Sequence, residues 1–114
     1  MAGRLTTHAL DTMFGCGAAG LRVEVRRVAP FEERFPDAML DEGGRAVLIS
    51  DGLRQGVYEL VFQVADYHRE RGVALAEPPF LDAVTVRFGL SDPEGHHHVP
   101  LLVSPYSYST YRGG

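Results

Sequence analysis

The sequence predicts a small all-β protein, a two-sheet antiparallel β-sandwich with one short helix. Three observations predict it. Runs rich in Val, Phe and Tyr alternate apolar with polar residues, the period of a half-buried strand. Clusters of Gly, Asp, Ser and Pro punctuate those runs at the short intervals of a sandwich. Only one stretch has helical character, and it is short.

The elements follow in order. Leu5 to Asp11 alternates, so Thr6, His8 and Leu10 share one face of a strand. Phe14-Gly15-Cys16-Gly17 is a turn, and Leu21 to Arg26 a strand. Phe31 to Met39 has no clear period and receives no element. Asp41-Glu42-Gly43-Gly44 is a turn that delivers Arg45 to the mouth of a strand over Ala46 to Ile49. After Ser50-Asp51-Gly52, Val57 to Val64 alternates again. Ala65 to Arg71 reads as the helix, closed by Gly72. Phe80 to Leu90 is a strand, Ser91-Asp92-Pro93-Glu94-Gly95 a turn, and His98 to Ser104 a last strand. Pro100 cannot donate to a ladder, which suggests an edge or the strand's start. No repeat, linker or low-complexity segment interrupts residues 1–114, and the length is that of a single domain.

Composition excludes several kinds of function. The formal charge is −4 with no basic run, which argues against nucleic acid as a partner. All 11 basic residues are arginine, so Schiff-base, pyridoxal-phosphate and P-loop lysine chemistry are ruled out. No stretch approaches the roughly 18 apolar residues of a membrane span, and Met1 to Thr12 lacks the apolar core of a signal peptide. A soluble, cytoplasmic protein with no membrane partner is the expectation. The single Cys16 can form no internal disulfide and reads as a small residue in a turn.

The reactive side chains are few. His8 alone is more often a structural strand histidine than a catalyst. In His96-His97-His98, the first and third rings project to one face of a strand, where they could share a proton or ligate a metal. A zinc site needs a third ligand, for which His8 is the candidate. Arg45 is either a solvated surface charge or, in a cleft, a clamp for an oxyanion. Tyr106, Tyr108 and Tyr111 are costly aromatics for a loose tail. With no Gly-x-Ser-x-Gly elbow and no base near Cys16, general-base activation of water is the more plausible chemistry.

Leu5-Thr6-Thr7-His8-Ala9-Leu10-Asp11-Thr12, His98-Val99-Pro100-Leu101-Leu102 and the ending Tyr108-Ser109-Thr110-Tyr111-Arg112-Gly113 resemble the 5-hydroxyisourate hydrolases, the transthyretin-like enzymes of purine catabolism. Ala18-Ala19-Gly20, Gly56-Val57-Tyr58, Ala65-Asp66-Tyr67 and Val84-Thr85-Val86-Arg87-Phe88 extend the resemblance nearly end to end. It implies a transthyretin-like (prealbumin-like) sandwich of eight strands, assembled as a homotetramer, a dimer of dimers. The active sites then lie where dimers meet. It implies hydrolysis of 5-hydroxyisourate to 2-oxo-4-hydroxy-4-carboxy-5-ureidoimidazoline, with no cofactor. Carried over position by position, it makes His8, Arg45 and His98 catalytic. His8, Arg45, Tyr111 and Gly114 become substrate-binding. Arg45 is preferred to Arg54 because it follows glycine directly.

The chain also departs from that family's pattern. Gly114 stands for a terminal Ser, Gly17 for a proline before Ala-Ala, His97 for the Tyr of His-Tyr-His, and Gly43 for an Asp before Gly-Arg. The Phe31 to Met39 region lacks the usual tryptophan. These departures leave room for a diverged hydrolase acting on another cyclic amide, or a non-catalytic small-ligand carrier. A zinc-binding protein using His8, His96 and His98 is a further alternative.

Overall fold

A computed structural model describes residues 3–113 of the chain. The elements are β1 (Arg4–Asp11), β2 (Cys16–Gly17), β3 (Arg22–Ala29), β4 (Glu33–Met39) and β5 (Arg45–Ile49). There follow β6 (Gly56–Phe62), α1 (Val64–Glu70), β7 (Val84–Leu90), β8 (His96–Val103) and β9 (Tyr108–Thr110). They form the expected two-sheet sandwich. One sheet runs β2-β1-β8-β9, with β5 also paired to β1; the other runs β4-β3-β6-β7. Every ladder is antiparallel except β1–β8, where Arg4 to Asp11 runs parallel to His96 to Val103. A parallel pair needs a long crossover, and here almost the whole chain, from β2 to β7, supplies it.

The period-two pattern explains the packing. Leu5 and Ala9 of β1 and Val99, Leu101 and Val103 of β8 point inward and are buried. They meet Val23 and Val25 of β3, Tyr58, Leu60 and Phe62 of β6, and Val84, Val86 and Leu90 of β7 in one apolar core. The alternate residues of β1 and β8 therefore face outward, and these include His8, His96 and His98.

Four of the differences from the sequence-based expectation have a plain physical reason. Phe31 to Met39 contains strand β4. Its period is hidden because it is an edge strand with a register shift against β3 between Val23 and Val25, where Pro36 sits. The strand expected from Phe80 begins only at Val84. Its partner β6 ends at Phe62, opposite Val84, and the chain then turns into α1, so residues before Val84 have nothing to pair with. Val64 accordingly opens the helix instead of closing the strand. Pro100 sits mid-strand in β8, between β1 and β9. Gly113 N–H donates to the His98 carbonyl, so residues of that parity turn their polar backbone toward β9. Pro100 thus lacks its donor where β9 has already ended, and the Thr110 hydroxyl donates to its carbonyl at 2.7 Å. Among the described residues no helix is long and apolar enough to cross a membrane.

Candidate functional site

Strand register gathers the predicted residues on the outward face of the β2-β1-β8-β9 sheet. His8 lies opposite Arg45 on β5 and opposite Pro100 on β8. The Leu101–Thr110 pair and the His98–Gly113 bridge bring Tyr111 opposite Pro100. Arg45, His8, Pro100 and Tyr111 therefore form one row across three strands and the segment that follows β9. In the neighbouring row Thr6 lies between Val47 and His98. His8 and His98 are half-buried, whereas Arg45 and Tyr111 are exposed.

The β4–β5 turn sets the His8 end of the row. Asp41 Oδ1 accepts the N–H groups of Gly43 and Arg45, each at 2.9 Å. The Arg45 N–H, then the Gly43 N–H, then the charges of Arg45 and His8 hold the Asp41 carboxyl below its ordinary range. The turn closes only with glycine at position 44. Gly44 has φ of +79°, and a Cβ there would lie 2.5 Å from the Ala9 carbonyl oxygen. Gly17 packs against the Gly43 carbonyl, so two of the departures from the family's pattern touch each other. The Gly43 carbonyl lies 3.0 Å from His8 Nε2. A carbonyl only accepts, so Nε2 carries the proton and Nδ1 of the neutral ring keeps its lone pair.

The His98 end is held by a hydroxyl and a glycine. Thr6 Oγ1 lies 2.8 Å from His98 Nδ1 and 2.8 Å from His96 Nε2. A Cβ on Gly113 would lie 2.7 Å from His98 Cδ2, so the chain after β9 packs closely against that ring. Burial first, then the charges of His96, His8 and Arg45, push the His98 pKa below its ordinary value. At neutral pH the ring is a neutral base.

Not every expected residue shares one cavity. A concavity of about 330 Å³ on the outward face is lined by Thr6, Asp41, Arg45, Val47, His96 and His98. A second of about 230 Å³ is lined by Val86, Phe88, His97, His98, Thr110 and Tyr111 among others. Only His98 belongs to both, and His8 lines neither. Gly114 lies outside the described residues. Arg54 stands apart, its backbone N–H and carbonyl bonded to the Tyr58 hydroxyl. Among the described residues no three His, Cys, Asp or Glu side chains are placed to hold a metal ion. The His8, His96 and His98 rings are engaged instead by the Gly43 carbonyl and by Thr6.

Two contributors escape a search for reactive side chains. Thr6 carries a visible signal, since it sits two residues before His8 on the same strand face. Asp41 carries none, because it acts through the backbone of its own turn.

Comparison with known proteins places these residues in a family. The HIUase/Transthyretin family matches residues 5–113. The 5-hydroxyisourate hydrolase of Deinococcus radiodurans is 54% identical, covering 96% of this chain and 94% of its own. That of Pseudomonas aeruginosa is 50% identical, covering 97% and 91%. The crystal structure of (S)-allantoin synthase superposes with a TM-score of 0.93 at 37% identity over 99% of this chain, which spans 44% of that longer protein. Sandwich, outward histidine face and near-complete match agree: the chain belongs to the HIUase/Transthyretin family.

Proposed function

We propose that this chain hydrolyses 5-hydroxyisourate, opening a ring amide to give 2-oxo-4-hydroxy-4-carboxy-5-ureidoimidazoline. The observation that carries this reading is the row Arg45–His8–Pro100–Tyr111, with a neutral His98 beside it in the next row. Relatives named 5-hydroxyisourate hydrolase at 50% and 54% identity support the same substrate.

Amide hydrolysis needs an activated water, stabilisation of the oxyanion that forms, and a grip on the substrate. His98 is suited to deprotonate water, because a neutral imidazole near physiological pH is an effective general base. His8, oriented by the Gly43 carbonyl, offers Nδ1 to the same water or to the substrate. Arg45 carries planar donors for the purine-like oxygens and the developing charge. Tyr111 holds the substrate through its ring or hydroxyl, and Gly114, outside the described residues, is assigned to substrate binding with it. No step calls for a cofactor.

The same reading makes residues 1–114 one cytoplasmic domain that assembles as a homotetramer. Its support is that the candidate residues lie along an open sheet face, with Arg45 in one concavity of a single chain, Tyr111 in another, His98 bordering both and His8 neither. A second copy laid on that face would enclose them.

The test is the ultraviolet decay of 5-hydroxyisourate, freshly made from urate by urate oxidase. The expected result is decay far above the spontaneous rate, with losses on the order of a hundredfold or more in His98→Ala and Arg45→Ala. A folded protein that does not accelerate the decay would refute the assignment.

A further inference from the structure

We propose that Thr6 and His96 form a proton relay behind His98, acting as positioning residues; the proposal rests on the hydrolase reading above. The Thr6 hydroxyl oxygen lies 2.8 Å from a nitrogen of each ring. A hydroxyl has one proton to give. While both rings are neutral, it donates to one imidazole and accepts from the other. There are then two arrangements: the ring that donates to Thr6 has its remote nitrogen bare, and the ring that accepts from Thr6 has its remote nitrogen protonated. Thr6 is itself buried, at 9% exposure, and borders the same concavity as the two rings.

In the first arrangement His98 Nδ1–H donates to Thr6 Oγ1, and the Thr6 O–H donates to His96 Nε2. His98 Nε2 then bears the lone pair. Gly113 packs close to Cδ2, next to that nitrogen, where a Cβ would lie 2.7 Å from the ring carbon. This is the base-competent tautomer. In the second arrangement the bonds are reversed and His98 Nε2 carries the proton, which makes it an acid.

During a turnover the relay passes from the first arrangement to a charged form in which Thr6 bonds as in the second arrangement and His96 carries a proton on both nitrogens. His98 Nε2 takes a proton from water as the hydroxide oxygen bonds to the ring carbonyl. The Nδ1 proton passes to Thr6 Oγ1 while the Thr6 proton passes to His96 Nε2. No heavy-atom bond changes in this transfer; His98 is left neutral and His96 becomes imidazolium. When the ring C–N bond breaks, His98 Nε2 gives its proton to the departing nitrogen. The two relay protons run back at the same time and restore the starting state. Water supplies the hydroxyl to carbon and the proton to nitrogen, and the protein ends unchanged. His96 is exposed and lines the same concavity as His98, so its cationic form is solvated. The groups around the relay are Arg4, Thr6 and His8 from β1, Arg45 from β5, His96 and His98 from β8, and the Tyr111–Gly113 segment.

The test uses the full chain with Thr6→Val, Thr6→Ser and His96→Gln. Thr6→Val keeps the shape and removes the hydroxyl. It is expected to lower kcat about 10- to 100-fold with little change in KM, as loss of a supporting hydrogen bond does at other sites. Thr6→Ser is expected to restore most of the rate. His96→Gln keeps a partner for Thr6 but cannot carry a proton, so its kcat is expected to fall while KM holds. The independent readout is long-range 15N–1H NMR of the imidazoles. Wild type is expected to show His98 protonated on Nδ1, and Thr6→Val to shift the ring toward the Nε2–H form. Wild-type kinetics and an unmoved His98 tautomer in Thr6→Val would overturn the relay. A tautomer shift in a protein whose wild type does not turn over 5-hydroxyisourate would instead sink the substrate assignment and leave Thr6 as the residue that orients His98.

Discussion

His98 can act as a base only while its ring is neutral, and its surroundings favour that form. Burial, His96, His8 and Arg45 all disfavour the imidazolium, so the pKa lies below the usual value. The sign follows directly. The acidic limb of kcat/KM is expected below the ordinary histidine value of about 6.5. The unfolded chain takes up the same proton at higher pH than the folded one. The stability associated with neutral His98 is therefore present above about pH 6.5 and lost as pH falls from there through the lower value of the folded state. An NMR titration of the ring beside a pH–rate profile checks both. A His98 midpoint at or above the ordinary value would contradict the burial and charges seen around it. His8 and Tyr111 are singled out by the family resemblance, whereas Thr6 and Gly113 stand out only through what each touches.

At the scale of elements, the β4–β5 turn matters most. It is a short loop in which Asp41 accepts two backbone N–H groups, and through it the Gly43 carbonyl and Arg45 reach His8. Gly44 is the point where the turn meets β1, with positive φ and no room for a Cβ. Gly44→Ala is expected to cost at least about 1–2 kcal/mol from the left-handed backbone alone, with a further loss from the contact with Ala9. Denaturant unfolding at fixed protein concentration measures the stability, and the Arg45-dependent activity is expected to fall with it. A variant as stable as wild type would show that the turn can relax without cost. The turn glycines are legible in the sequence, but their partner strand is not. The irregular β4 is the converse case: its bulge and Pro36 erase the period that identifies a strand, although the fold requires one there.

At the scale of the molecule, the outward face carries exposed apolar groups beside the reactive ones. Leu10 is 37% exposed, Val47 55% and Tyr111 59%. Such a face around a polar cluster suits contact with another copy of the chain. Light scattering is expected to give four times the 12.5 kDa chain mass. Activity per chain is expected to drop on dilution through the dissociation point. A fully active monomer would show that one chain completes the site alone.

Period-two alternation and punctuating turns determined the sandwich, because a strand's side-chain period is set by its own backbone. The order of residue types likewise carried the family resemblance and with it His8, Arg45, His98 and Tyr111. Sequence spacing could not determine which residues face one another. His8 and Arg45 are brought side by side by an antiparallel ladder, and Thr6 meets His96 and His98 only because β1 and β8 run parallel across almost the whole chain. Register between distant strands is decided by burying one face of each in a shared core. The tertiary structure alone therefore decided that one threonine hydroxyl stands between two imidazoles.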